Sequence, residues 1–363
     1  MVGRKPVTSD RLPGYPDHDQ ATKVAGVTSW EPDVLPGYSK QTIPLGIDPN
    51  GEGELVATLV RRGEGGRSQH AVLATHGYTD YFFNTELADH FVRRGMAFYA
   101  LDLHKCGRSR LANQTPHFTT NLAGYDRELD RALALVRADT GGARICMYGH
   151  STGGLVVPLW MNRLREQARL SVANIGGLLL NSPFLDLQGP AILRAAPTSA
   201  ALIALARLRK MQVVRKPTEG GYGSSLHRDH GGEFDFDLDW KPLGGFPVTV
   251  GWINAIRRAQ ARLHRGLDVG VPNLILRSDH SVTESPNSEA IQRGDAVLNV
   301  AQIARWAGCI GNRTTIVPIP DAKHDVFLSV PEARASAYRE LDGWLDGYLT
   351  TETSSTTTRF GQG

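Results

Sequence analysis

Short apolar, β-branched runs alternate along the chain with longer stretches of helical periodicity, the pattern of βαβ units that build a parallel sheet. The runs that read as strands are Leu55 to Val60, His70 to Thr75, Met96 to Leu101, Ala143 to Tyr148, Gly176 to Leu180, Val271 to Leu276 and Thr314 to Ile319. Helical periodicity falls near Glu86 to Arg94, Gly124 to Ala138, Thr152 to Arg169, Ala301 to Ala307 and Pro331 to Tyr348. The rhythm breaks between Asp186 and Gly270, where Gly clusters and the acidic-aromatic alternation EFDFDLDW replace clean strands. A structureless loop of that length inside a compact domain would be anomalous, so residues 186–263 read as an inserted, mostly helical cap. The cap divides a core formed by residues 54–185 and 264–349. Residues 1–53, rich in Pro, Gly and Asp and carrying LPGY twice, read as an irregular N-terminal arm, and the Ser/Thr-rich residues 350–363 as a disordered tail.

Composition narrows the classes. With 363 residues and 41% hydrophobic content the chain is long and apolar enough for one large α/β domain with an insertion, or two domains; wholesale disorder, collagen and coiled coil are excluded. A net charge of +3, with both signs interspersed, argues against a nucleic-acid or anionic-membrane partner. Cys106, Cys146 and Cys309 are widely spaced and read as free thiols. With no signal-peptide pattern and no apolar run of membrane-spanning length, the expectation is a soluble, cytoplasmic protein. His227, Asp229 and His230 lack a third ligand at metal-site spacing, so no metal is expected there.

The sharpest chemical signal is Gly149-His150-Ser151-Thr152-Gly153, a G-x-S-x-G pentapeptide directly after an apolar strand and directly before a helix. Such a turn strains the serine backbone and projects its hydroxyl at the carboxyl end of the sheet. Small residues on either side let the chain pass close. An acyl-transfer site also needs two backbone N–H donors for the oxyanion. Thr152, after the nucleophile, is one candidate; Tyr78, in the loop after the strand ending THGY, is the other. The base is sought after the last strand, where PDAKHDVF places His324 in a short loop before a helix.

In this order the segments THGY, FYALDLHKCGRS, GHSTGG, LLLNSPFLD and IPDAKHDVF resemble the α/β-hydrolase superfamily, closest to its lysophospholipase, monoacylglycerol-lipase and serine-aminopeptidase (S33) branch. The resemblance covers residues 54 to 348. It implies an eight-stranded, mostly parallel sheet with the cap inserted after strand 6, a Ser, Asp, His triad in chain order, and no cofactor or metal. One departure is Lys105-Cys106-Gly107, where the family often has Gly-His-Gly. Two aspartates compete for the acid. Asp279 directly follows the strand VPNLILR, whereas Asp295 opens GDAVLNVAQIARWAG, a segment that resembles the family's acid loop; Asp295 is favoured, with SVTESPNSEAIQRG as a polar insertion.

The expected activity is cleavage of a small-molecule carboxylic ester, such as a lysophospholipid or monoacylglycerol, through an acyl-enzyme. Trp240, Phe246 and Trp252 in the cap are candidates for the substrate pocket. An S33-type aminopeptidase is the alternative, with Glu233, Asp235, Asp237 and Asp239 available for a substrate amine; a non-catalytic binding protein on the same fold is a further one. The oligomeric state, homodimer included, is left open by the sequence.

Overall fold

The β-branched and apolar runs become strands buried on both sides, because helices cover both faces of the sheet they form. The computed structural model describes residues 27–188, 196–218, 220–283 and 289–350. Its strands are β1 (Glu31–Pro32), β2 (Tyr38–Ile47), β3 (Glu54–Arg62), β4 (His70–Thr75), β5 (Ala97–Asp102), β6 (Arg144–His150), β7 (Ile175–Asn181), β8 (Val213–Arg215), β9 (Val248–Thr249), β10 (Asn273–Ser278) and β11 (Thr314–Ile319). Nine of them form one sheet in the order β1-β2-β3-β5-β4-β6-β7-β10-β11. Apart from the two-residue β1, that is eight full strands, parallel from β5 to β11 and antiparallel only around β3 and the β1/β2 edge. This is the α/β-hydrolase fold.

Alternation along each central strand feeds two cores. Leu73, Tyr99, Ile145 and Met147 point to one face, where helices Asp126–Thr140 and Gly153–Glu166 pack. Val72, Phe98, Cys146 and Tyr148 point to the other, under helices Thr85–Arg93 and Pro331–Tyr348.

Between β7 and β10 the inserted segment contains helices Ala196–Arg209, Tyr222–Leu226 and Val250–Leu263 and a small antiparallel pair, β8 with β9. The last of these helices joins the first core through Trp252, Ile256 and Leu263. A third cluster, Tyr81, Phe83, Leu226, Phe236 and Leu328, glues the insertion to the core.

The expectation of an irregular arm through residue 53 is corrected over residues 31–47, which enter the sheet as β1 and β2. Pro44 and Gly46 hide this strand in the sequence. They sit at a β-bulge in a strand flanked on its outer side by only two residues, where a missing N–H and a kink are tolerated. Residues 1–26 and 351–363, nearly half of the expected arm and all but the first residue of the expected tail, lie outside the described residues. Among the described residues no helix is long and apolar enough to cross a membrane.

Candidate active site

Parallel strands place every following loop at one end of the sheet, and the residues singled out by sequence lie in the loops after β4, β6, β10 and β11. After β6 the chain turns into helix Gly153–Glu166 through Ser151, whose φ of 51° lies in the left-handed region that side chains with a Cβ rarely occupy. Two glycines make the turn sterically open. A Cβ on Gly149 would stand 2.7 Å from the Gly153 carbonyl oxygen, and one on Gly153 would stand 2.6 Å from those of Thr75 and His76. The strained residue keeps its backbone satisfied: Ser151 N–H donates to Asn181 O at 3.0 Å, and its carbonyl accepts from Phe184 N–H at 2.9 Å. Thr152 precedes the first helical residue, so its amide has no intrahelical acceptor and adds to the positive end of the helix dipole.

His324 lies in the loop after β11. Its Nδ1 is 3.0 Å from Asp295 Oδ2, and both side chains are buried. Asp295 is fully enclosed and its other oxygen accepts the amides of Val297 and Leu298 at 2.8 and 2.7 Å. A carboxylate with no proton of its own requires the proton on His324 Nδ1, which leaves Nε2 as the acceptor. That Nε2 is buried and makes no hydrogen bond among the described residues, so Ser151 and His324 are not hydrogen-bonded here; such links commonly close only around substrate. The ring of His150, the residue next to Ser151, lies 5.0 Å from that of His324. Asn181, at the end of β7, anchors the loop by donating to Asp325 Oδ1 at 2.6 Å and accepting from Val326 N–H at 3.2 Å.

Asp279 is placed elsewhere. It is half-exposed, pairs with its neighbour His280 at 2.7 Å and accepts the Asp321 amide at 3.3 Å. The chain makes an excursion after β10 and returns by a bridge between Ser281 and Asp295, with Asp295 N–H donating to His280 O at 3.0 Å.

The loop after β4 passes directly over the nucleophile: a Cβ on Gly77 would be 2.9 Å from Ser151 Cβ. Three consecutive residues tie this loop to the cap. Tyr78 hydroxyl donates to Pro247 O at 2.6 Å, Thr79 Oγ1 accepts Phe246 N–H at 2.9 Å, and Asp80 accepts from Lys241 Nζ at 2.8 Å. The second oxygen of Asp80 is 3.2 Å from His150 Nδ1. Burial alone would raise the Asp80 carboxyl, but Lys241 and His150 outweigh it and hold it well below the usual range. Burial pulls His150 down, and Asp325 together with Asp80 outweighs it, so this imidazole is raised.

Sequence reasoning missed this buried trio because its partners are 161 and 70 residues apart and no local pattern joins them. Lys241→Met should leave the buried Asp80 carboxylate with His150 as its remaining charged partner and lower stability by up to about 3–5 kcal/mol, whereas adding Asp80→Asn should recover much of that loss. Urea unfolding of the single and double variants measures both.

Of the cap aromatics, Trp252 packs on Tyr78 with ring centroids 4.2 Å apart, and Phe246 lies 5.5 Å from His117, itself 4.9 Å from Tyr78. Trp240 instead stacks edge-on against Tyr81 at 5.1 Å, away from this group.

The cap also grips the histidine loop: Tyr222 hydroxyl accepts Asp325 N–H at 3.0 Å and Lys323 Nζ donates to Ser225 O at 2.7 Å. Burial pushes the Lys323 ammonium from 10.5 down to about 8. Between those two values the unfolded chain holds a proton that the folded one has released, so this group makes stability rise with pH over that window. Lys323→Met should flatten the rise, as read from thermal midpoints between the two pH values.

His76, Cys106 and His117 are buried with their donor atoms within 4.8 Å of one another, a cluster that sequence spacing does not reveal. His76 is already committed to the backbone, Nδ1 to Gly77 O at 2.8 Å and Nε2 accepting Leu103 N–H at 3.1 Å. His117 Nδ1 is 3.2 Å from Cys106 Sγ, and burial holds the imidazole and the thiol neutral, the one lowered and the other raised. A metal here would have to displace the Leu103 amide. His227 Nδ1 is satisfied by the Asp229 amide at 3.3 Å. At the Gly-His-Gly departure, Lys105 is buried and paired with Asp48 and Glu52 at 2.7 and 2.6 Å.

The sequence model of the family described as serine aminopeptidase, S33, matches residues 66–297. No curated protein matches the chain. Among solved structures, a soluble variant of monoglyceride lipase from Saccharomyces cerevisiae superposes with a TM-score of 0.57 at 15% identity, covering 89% of this chain and 95% of that one. A carboxyl esterase from Bacillus coagulans gives a TM-score of 0.56 at 12% identity, covering 85% and 98%.

Proposed function

This chain belongs to the serine aminopeptidase (S33) family of α/β-hydrolases, and from that premise we propose that it cleaves carboxylic esters by covalent catalysis at Ser151. The observation that carries the reading is the buried Asp295–His324 pair, with a His324 Nε2 that makes no hydrogen bond among the described residues and a ring 5.0 Å from that of His150, the residue before a serine held at a φ of 51°. His324 Nε2 takes the hydroxyl proton as Ser151 Oγ bonds to the ester carbonyl carbon. The carbonyl oxygen becomes an oxyanion that accepts from the Tyr78 and Thr152 amides. When the C–O bond breaks, His324 returns the proton to the leaving alcohol, and Ser151 carries the acyl group. Water then gives a proton to His324, adds to the acyl carbon, and the acid leaves as Ser151 recovers its proton. Asp295 fixes the tautomer throughout and stabilises the imidazolium. Each step uses groups of this chain and water.

Tyr78, backed by the buried Trp252, and Phe246 give the loop over Ser151 aromatic neighbours, which suits an apolar acyl ester such as a monoacylglycerol or lysophospholipid. The aminopeptidase alternative needs free carboxylates in the cap. Glu233 is paired with Arg334, Asp235 with Arg228, and Asp237 accepts the amides of Asp239 and Trp240, so three of its four candidates are engaged. Initial rates on p-nitrophenyl esters of increasing chain length, a monoacylglycerol, a lysophospholipid and an aminoacyl anilide test the reading. Ester turnover well above anilide turnover is expected, and the reverse ranking would favour the peptidase.

A further inference from the structure

The overall charge of +3 conceals a local asymmetry. From residue 187 to 218 the chain carries Arg194, Arg207, Arg209, Lys210, Arg215 and Lys216 and not one Asp or Glu. The same part of the cap exposes Ile203, Leu208, Met211, Val213 and Val214, with Leu208 84% exposed and Val214 51%. Exposed large side chains elsewhere in the described molecule are scattered singly; here five fall within residues 203–214. Arg207, Arg209, Arg215 and Lys216 form no ion pair among the described residues. Lys210 is tied to the core through Asn50 O at 3.3 Å.

This surface is next to the proposed chemistry. Strand β8 pairs with β9 through Val213 with Thr249 and Arg215 with Val248. The residue before β9, Pro247, accepts the Tyr78 hydroxyl, and Trp252 just beyond β9 packs on the Tyr78 ring. The patch is therefore one strand away from the loop that covers Ser151, on a segment fastened to that loop.

We propose that this cap surface, from Ile203 in the C-terminal half of helix Ala196–Arg209 through β8, docks on an anionic phospholipid surface. Aliphatic side chains interleaved with unpaired cations match a membrane interface, which takes the former among its acyl chains and the latter against its headgroups. A nucleic acid would neutralise the cations and leave Leu208 and Val214 in water. A second copy of the same patch would bring like charges together. The overall balance of charge, read alone, argues against an anionic surface; its distribution within the cap argues the other way. The purpose of docking rests on the ester-hydrolase reading, since an apolar ester is concentrated in lipid.

The test uses the full chain carrying Ser151→Ala, so that no lipid is consumed, and measures co-sedimentation with phosphatidylcholine vesicles with and without phosphatidylglycerol. Each Lys or Arg near such a surface strengthens binding about fivefold. Partitioning should rise at least about 25-fold with phosphatidylglycerol, fall by at least about 25-fold in Arg207→Glu/Arg209→Glu, where two cations are lost and reversed, and fall in Leu208→Asp/Val214→Asp. In the Ser151 background both double variants should keep wild-type rates on a soluble p-nitrophenyl ester. Absence of binding to the anionic vesicles would overturn the proposal, as would equal binding by the patch variants or a dimer that the patch variants dissociate. Patch-dependent vesicle binding in a protein inert toward every ester would sustain the docking surface and reject the hydrolase reading.

Discussion

Ser151→Ala should lower kcat on any ester substrate by roughly 10⁴- to 10⁶-fold while the protein stays folded, because the triad acts as a unit and removing the nucleophile removes the covalent path altogether. Residual turnover would come from binding and from the Tyr78 and Thr152 amides. The fold should survive because no backbone contact depends on the hydroxyl: Ser151 N–H and C=O are held by Asn181 and Phe184. Alanine also meets the same penalty at a φ of 51° as serine does, so the turn keeps its strain. Steady-state kinetics on a p-nitrophenyl ester, with circular dichroism as the control for folding, gives the answer. A variant that retained more than about a tenth of the wild-type rate would be incompatible with covalent catalysis at this residue.

Asp295→Asn should be nearly as severe, with a loss of up to about 10⁴ in kcat. The amide can still accept the Val297 and Leu298 N–H groups through its oxygen, so the loop has no reason to move. Its nitrogen then faces His324 Nδ1 and donates. The imidazole must answer by moving its proton to Nε2, where it blocks transfer from Ser151. Asp279→Asn should change the rate only slightly, since that half-exposed carboxylate serves His280 and a turn amide. Rates of the two folded variants decide between them, and the opposite ranking would move the role to Asp279.

Legibility in the sequence followed the range of the interactions. Ser151 is recognisable because strain, glycines, strand and helix all fall within a few consecutive residues. The favoured acid needed a longer step, past an excursion that separates Asp295 from the end of β10; the insertion was readable as polar and proline-bearing, so the aspartate beyond it stayed in view. Strand β2 was hidden by Pro44 and Gly46, which local reading treats as breakers and the sheet accommodates as a bulge at a nearly open edge. The Lys241–Asp80–His150 trio and the His76, Cys106, His117 cluster exist only once β4, β5, β6 and the cap are assembled, so no spacing announces them. Aromatics in the cap were nameable as a set but not assignable: Trp252 and Phe246 lie by the Tyr78 loop, while Trp240 packs against Tyr81.

The most direct test of the central claim is to trap the acyl-enzyme. Mixing the protein with a slowly deacylating ester, quenching in acid and mapping peptides by mass spectrometry should show the mass of the acyl group on the peptide that carries Ser151, absent from Ser151→Ala. Ester turnover with no acylated peptide, or with the label on another residue, would contradict it.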